Sequence, residues 1–208
     1  RNAADELRAC RLRLAQRVQR LLPRRLVGEA VIFHVFVGPT ERIEIAAFAG
    51  ADVPRPYALE KNAILMEYIG DMDLAAPTLN SVSLEPGEVK PLFERVLRDI
   101  DLLLANRRIH GDLSAYNILY WEGDITMIDF PQVVQPESNP AAWSIFLRDI
   151  TRICQYFASQ GLRRDPRRLA ADLWTSHGHR IMREVHPSQL DPDDPEDRKI
   201  WERQRTGR

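Results

Sequence analysis

The sequence predicts an α+β fold, with strand-forming stretches ahead of residue 70 and helices dominating after it. Three observations carry that expectation. Residues 29–37 (EAVIFHVFV) and 63–69 (AILMEYI) are apolar runs rich in β-branched and aromatic side chains, the first bounded by Gly28 and Gly38-Pro39 and the second ending at Gly70. Such runs favour strands. From about residue 88 to 106, Leu92, Phe93, Val96, Leu97, Ile100, Leu103 and Leu104 recur at helical spacing, giving a helix with a broad apolar face. Finally, residues 118–121 and 125–128 are short apolar runs joined by Glu122-Gly123-Asp124, residues that tolerate positive φ, so they predict a small hairpin.

The remaining elements follow in order. Residues 5–22 place Leu7, Cys10, Leu14, Val18 and Leu21 on one helical face with arginines opposite, and Pro23 ends that helix. Residues 40–49 read as a short helix. Val53-Pro54-Arg55-Pro56 is expected to be extended, because proline disfavours helix at the residue before it. After a loop rich in Asp, Pro and Ser and the helix and hairpin already described, two more helices are expected. They open at Asn139-Pro140 and Asp165-Pro166, each pairing a capping residue with a proline suited to the first helical turn. Beyond Val185 the chain is rich in proline and charge and is expected to be an extended tail. The resulting division is a basic helix over 1–27, a small strand-bearing lobe over 28–70 that looks incomplete, a helical lobe over 71–184 and a tail over 185–208.

Composition excludes several classes of function. The 208 residues are 44% hydrophobic and 28% charged, which is the profile of a folded chain. No apolar run approaches the roughly 20 residues a bilayer needs, and no leader is recognised, so neither membrane insertion nor secretion is expected. With 29 basic and 30 acidic residues there is no overall attraction for nucleic acid. Cys10 and Cys154 are isolated, so no disulfide framework or zinc site is expected and a cytoplasmic location fits best. The only lysines are Lys61, Lys90 and Lys199, so lysine chemistry has three candidates.

The segment most informative about chemistry is 109–134, IHGDLSAYNILYWEGDITMIDFPQVV. His110-Gly111-Asp112 is followed by Asn117, by the hairpin, and by Ile128-Asp129-Phe130. Order and spacing match the catalytic loop and metal-binding segment of the protein-kinase superfamily. Phosphoryl transfer needs a carboxylate near the incoming hydroxyl and hard oxygen ligands for Mg²⁺, all at one end of a rigid hairpin. Asp112 suits the first role, and Asn117 with Asp129 the second. Each residue alone would more commonly be a turn or cap residue; it is their joint spacing that points to a site. His110 is expected to be a structural hydrogen-bonding residue beneath the loop.

HGDLSAYNIL followed by IDFPQ resembles the RIO family of atypical kinases, and residues 139–162, with Arg148-Asp149, resemble that family's next helix. The similarity runs over residues 29–162. It implies a two-lobed protein-kinase-like fold that binds ATP and Mg²⁺ (or Mn²⁺) between a small sheet-bearing lobe and a mainly helical lobe. By the same resemblance Met66 is the gatekeeper, the Glu67 carbonyl and Ile69 N–H meet adenine, and Leu119 and Ile128 lie beneath the base. Glu29, Ala30 and Val31 would end the phosphate-covering loop, Glu41 would be the helix-C glutamate, and Asp129 would accept a phosphoryl group. Arg148-Asp149 would brace the catalytic loop. The family's link with ribosome maturation makes a ribosome or RNA partner an expectation by analogy, beside an unnamed protein substrate.

One part of the pattern is missing. Kinase chemistry uses a lysine paired with the helix-C glutamate, and no lysine lies between Glu29 and Glu41. Residues 37–41 run straight from strand to helix position, so either sequence is missing between Pro39 and Thr40 or the lobe is truly reduced. The alternatives to a RIO-like serine/threonine kinase or ATPase are therefore a pseudokinase module that binds nucleotide or a partner, and a small-molecule phosphotransferase of the aminoglycoside or choline kinase type.

Overall fold

The computed structural model describes residues 50–60, 63–71, 73–130 and 132–181. The expected basic helix over 1–27, the strand over 29–37, the helix over 40–49 and the tail over 185–208 lie outside the described residues, as do Glu29, Ala30, Val31 and Glu41.

Strand β1 (Pro56–Glu60) pairs antiparallel with β2 (Ala63–Met66), with Pro56 opposite Met66 and a register irregularity between Pro56 and Ala58. β1 is absent from the sequence expectation, which took residues 53–56 only as extended chain. Its proline occupies the first strand position, one of the few places in a sheet where a missing N–H is tolerated. β2 ends at Met66 rather than continuing to Ile69. The Glu67 N–H then donates to the Arg55 carbonyl at 2.8 Å, and Gly70, at φ 136°, forms an isolated bridge with Ala75. A Cβ at position 70 would lie 2.4 Å from the Leu74 carbonyl oxygen, so only glycine fits this turn.

Helix α1 (Pro86–Ala105) starts two residues earlier than its apolar pattern suggests. Glu85 and Glu88 form a reciprocal capping box and Pro86 takes the first helical position. Its inner face buries Val89, Leu92, Phe93, Val96, Ile100, Leu103 and Leu104. The hairpin pairs β3 (Ile118–Trp121) with β4 (Asp124–Met127). Glu122 and Gly123, at φ 49° and 86°, form its two-residue turn, whose twist suits a hairpin. α2 (Ala142–Ser159) follows a turn in which the Asn139 side chain accepts from the Ala141 N–H at 2.8 Å. α3 (Pro166–Ser176) begins where expected, with the Asp165 carboxylate accepting from the N–H groups of Arg167 and Arg168.

One core joins these elements. Ile118, Ile125 and Met127 of the hairpin are fully buried with Phe146, Ile150, Ile153 and Phe157 of α2. Phe93 of α1 meets Phe157 edge-on at 5.1 Å, and Trp174 of α3 lies 5.4 Å from Phe146. His177, just past α3, reaches the Asp101 carboxylate on α1 at 2.7 Å. The hairpin thus has its base packed into the core, and the loops at its open end stand on that base.

Candidate active site

The loop from Ile109 to Asn117 is tied to its surroundings at several points. Ile109 and Val134 exchange both backbone hydrogen bonds at 2.9 Å. His110 is buried, its ring stacked at a tilt 4.7 Å from Phe130, with Nε2 3.0 Å from the Ile128 carbonyl. The Asp112 N–H approaches its Nδ1 at 3.4 Å. These contacts assign the proton to Nε2 and leave Nδ1 as acceptor. Burial pushes His110 down to about 4, with the Ile128 carbonyl and the Asp112 charge opposing, so the ring is neutral at pH 7. The expected structural role of His110 is the one observed.

Gly111 has φ 86°, and a Cβ there would fall 2.2 Å from the Gln132 carbonyl oxygen. Its N–H donates to the buried Asp149 carboxylate at 2.9 Å, and its carbonyl accepts from Arg148. Burial pushes Asp149 up to about 6, partly offset by the N–H groups of Gly111 and Leu113 and by Arg148. Arg148-Asp149 therefore braces the loop, in line with the expectation from sequence.

The three candidate residues Asp112, Asn117 and Asp129 are brought together. Asn117 Nδ2 donates to the Asp112 carbonyl at 2.9 Å, and the Asn117 carbonyl accepts from the Ile128 N–H at 3.0 Å, one residue before Asp129. Among the described residues the Asn117 amide oxygen has no hydrogen-bond partner. Asp129 has φ 68°, a left-handed conformation that Asp adopts more readily than most residues. The turn sends Phe130 inward against His110 and leaves the carboxylate outside. The Asp129 carboxyl is held above the ordinary carboxylate range, by partial burial first and the Asp112 charge second, although the residue as a whole stays exposed.

Of the expected nucleotide contacts, Met66 is buried at the end of β2 and belongs to the core cluster. Among the described residues neither the Glu67 carbonyl nor the Ile69 N–H has a backbone partner. Leu119 and Ile128 are half-buried, on the hairpin strand and just past it. Lys90, the one lysine among the described residues, is exposed on α1 and faces Glu94 at 3.7 Å, so it is no phosphate ligand. Two features had no sequence signal: the ion pair of Arg152 with Asp112, Nη1 to Oδ1 at 2.7 Å, and the Asp52 carboxylate held by Arg95 and Arg98. Both join residues about 40 positions apart.

Comparison with known proteins gives the family and the fold. The sequence profile of the RIO domain matches residues 40–169, well over half the chain. The chain belongs to the RIO domain family. RIO-type serine/threonine-protein kinase Rio1 of Thermoplasma acidophilum is 32% identical over 118 residues, covering 57% of this chain and 60% of that protein. Serine/threonine-protein kinase rio1 of Schizosaccharomyces pombe is 34% identical over 113 residues, 53% of this chain and 22% of that protein. The chain thus spans less than two thirds of the length of these relatives. Among solved structures, the Rio2 kinase–ADP/Mg²⁺–phosphoaspartate complex of Chaetomium thermophilum superposes with a TM-score of 0.54 at 23% identity, covering 79% of this chain and 52% of that one. The fold is therefore the α+β protein-kinase-like fold, with β1 and β2 leading through residues 67–70 into the helical lobe. In this RIO domain the profile match begins at residue 40, so Glu29, Ala30 and Val31 lie outside it. No helix among the described residues is long and apolar enough to cross a membrane.

Proposed function

We propose that this RIO domain is an ATP- and Mg²⁺-dependent serine/threonine protein kinase or ATPase, with Asp112 as the base that receives the acceptor's proton. The observation that carries the reading is that Asn117 joins the Asp112 carbonyl, through its amide Nδ2, to the Ile128 N–H, through its own carbonyl, one residue before Asp129. An accidental pair of turns would not need such mutual support.

The residues fit a magnesium ion. Among the described residues the Asn117 amide oxygen accepts no hydrogen bond, and Asp129 is an exposed carboxylate with no side-chain partner there. Among the described residues no three His, Cys, Asp or Glu side chains converge, and Mg²⁺ bound through one carboxylate, one amide oxygen, phosphate and water needs no such cluster. Asn117 and Asp129 would hold the ion, which when bound supplies positive charge against the phosphates. Met66, Glu67, Ile69, Leu119 and Ile128 would enclose the adenine. Asp112 would orient the acceptor hydroxyl and take its proton as the new P–O bond forms and the bond to ADP breaks. The Rio2 complex contains a phosphoaspartate, and Asp129 is the residue here that would accept the phosphoryl group in an ATPase cycle, water then releasing it as phosphate.

The test is Mg²⁺-dependent ADP release from ATP together with nucleotide binding. Asp129→Asn, which tolerates the same backbone conformation, should lose both. Asp112→Asn should retain binding and lose turnover by about 100-fold or more. Unchanged turnover in Asp129→Asn refutes the assignment. The pseudokinase reading is favoured by the sequence, which has no lysine between Glu29 and Glu41, and it predicts a wild-type chain that binds nucleotide and releases no ADP.

A further inference from the structure

Arg152 lies one helical turn after Arg148 on α2, so both guanidinium groups project from the same side of that helix toward the catalytic loop. Together with Asp149 they make a three-point grip. Asp149 takes the Gly111 N–H, Arg148 takes the Gly111 carbonyl, and Arg152 takes the Asp112 carboxylate. The first two hold backbone. The third holds the side chain that the proposed chemistry uses.

The pair is half-exposed, with Arg152 and Asp112 side chains 39% and 42% accessible. Exposed pairs of this kind add little to stability, so a stabilising role does not account for it. The contact is one-sided: Oδ1 is engaged at 2.7 Å, and among the described residues Oδ2 has no hydrogen-bond partner. A carboxylate with one oxygen held by a guanidinium loses its freedom to rotate about its last side-chain bond while keeping the other oxygen available.

We propose that Arg152 is a positioning residue for Asp112, fixing Oδ1 so that Oδ2 faces the acceptor hydroxyl. The inference rests on Asp112 being the base. It explains why a helix that otherwise contributes core side chains carries two arginines at the site. Arg152 is not placed on nucleotide, so its removal should act on the rate and leave ATP recognition alone.

The experiment compares wild type, Arg152→Ala, Arg152→Lys, Asp112→Asn and the Arg152→Ala/Asp112→Asn double variant in steady-state ATP turnover. Arg152→Ala should lower kcat by about 10- to 100-fold, the usual cost of a misplaced reacting group, with KM for ATP within about twofold. Arg152→Lys should recover part of that loss, since an ammonium supplies charge without the planar fork. The double variant should be no slower than Asp112→Asn alone, because the arginine then has no carboxylate to position. Wild-type kcat in Arg152→Ala, a loss confined to KM, or a double variant slower by the product of both single losses would each overturn the proposal. An inert wild-type chain would instead refute the phosphotransferase reading, and the pairing is then judged by NMR of the arginine side chains. Asp112→Asn should shift the Arg152 guanidinium resonance and leave that of Arg95 unmoved; an unshifted Arg152 signal overturns the pairing itself.

Discussion

His110 shows how a single residue ties stability to pH in this domain. Unfolded, its imidazole takes a proton near 6.5; folded, burial holds it at about 4. Between those values the unfolded chain binds the proton and the folded chain does not, so stability falls as pH drops through that window, by at most about 1.4 kcal/mol per pH unit. Asp149 and Asp99 act in the opposite sense: both are raised by burial to about 6 from 3.8, so the folded state protonates first and gains stability as pH falls from 6. Comparing wild type with His110→Asn isolates the histidine. The variant should lose less thermal stability than wild type between pH 7.5 and pH 5, and parallel losses would show that the ring is not held neutral by the fold. Gly111 allows a sharper expectation, because its φ of 86° and the Gln132 carbonyl 2.2 Å from a Cβ penalise any side chain. Gly111→Ala should destabilise by roughly 2 kcal/mol or more in denaturant unfolding, from left-handed backbone strain and the clash together.

Helix α3 shows what short-range sequence signals can specify. Asp165 caps it through two N–H groups, at 2.9 and 3.1 Å, and Pro166 follows at the first helical position. Asp165→Ala should cost about 1 kcal/mol, seen as a lowered thermal midpoint, while Asp165→Asn or Ser should cost much less. Local signals also made the β3–β4 hairpin and the catalytic loop legible, through turn residues and the spacing of Asp112, Asn117 and Asp129, whereas α1 was legible from its apolar periodicity and its capping box at Glu85 and Glu88 went unread. β1 was not legible. Pro56-Tyr57-Ala58-Leu59-Glu60 has no clear alternation and begins with proline, and it becomes a strand because β2 offers a partner after a two-residue connection. The Arg152–Asp112 pair escaped for a related reason. Its 40-residue separation carries no periodic signature, and an arginine on a helix otherwise reads as solvated surface.

At the scale of the molecule, the question is what couples the segment entering β1 to the lobe that carries Asp112 and Asp129. Asp52 is the junction. Its carbonyl accepts from the Met127 N–H at 2.7 Å, two residues before Asp129. Its carboxylate meets Arg95, and Arg98 at 2.9 Å, both on α1, and Arg95 also reaches Asp124 at the start of β4. Burial alone would raise the Asp52 pKa, but the hydrogen bond and charge of Arg95, joined by Arg98, outweigh it and hold the group below its ordinary value. Its stabilising contribution is therefore present above the unfolded pKa of 3.8 and lost as pH falls through the lower folded value. Asp52→Asn removes the charge while keeping the backbone bond, and leaves Arg95 paired only with the exposed Asp124. Hydrogen exchange should then show faster opening at the Val53, Glu67 and Met127 amides, whose acceptors lie in or against this junction, with α3 amides unchanged. A uniform increase across the chain would mean that Asp52 supports the whole core, and no change would mean that the backbone bond to Met127 is sufficient to hold the segment.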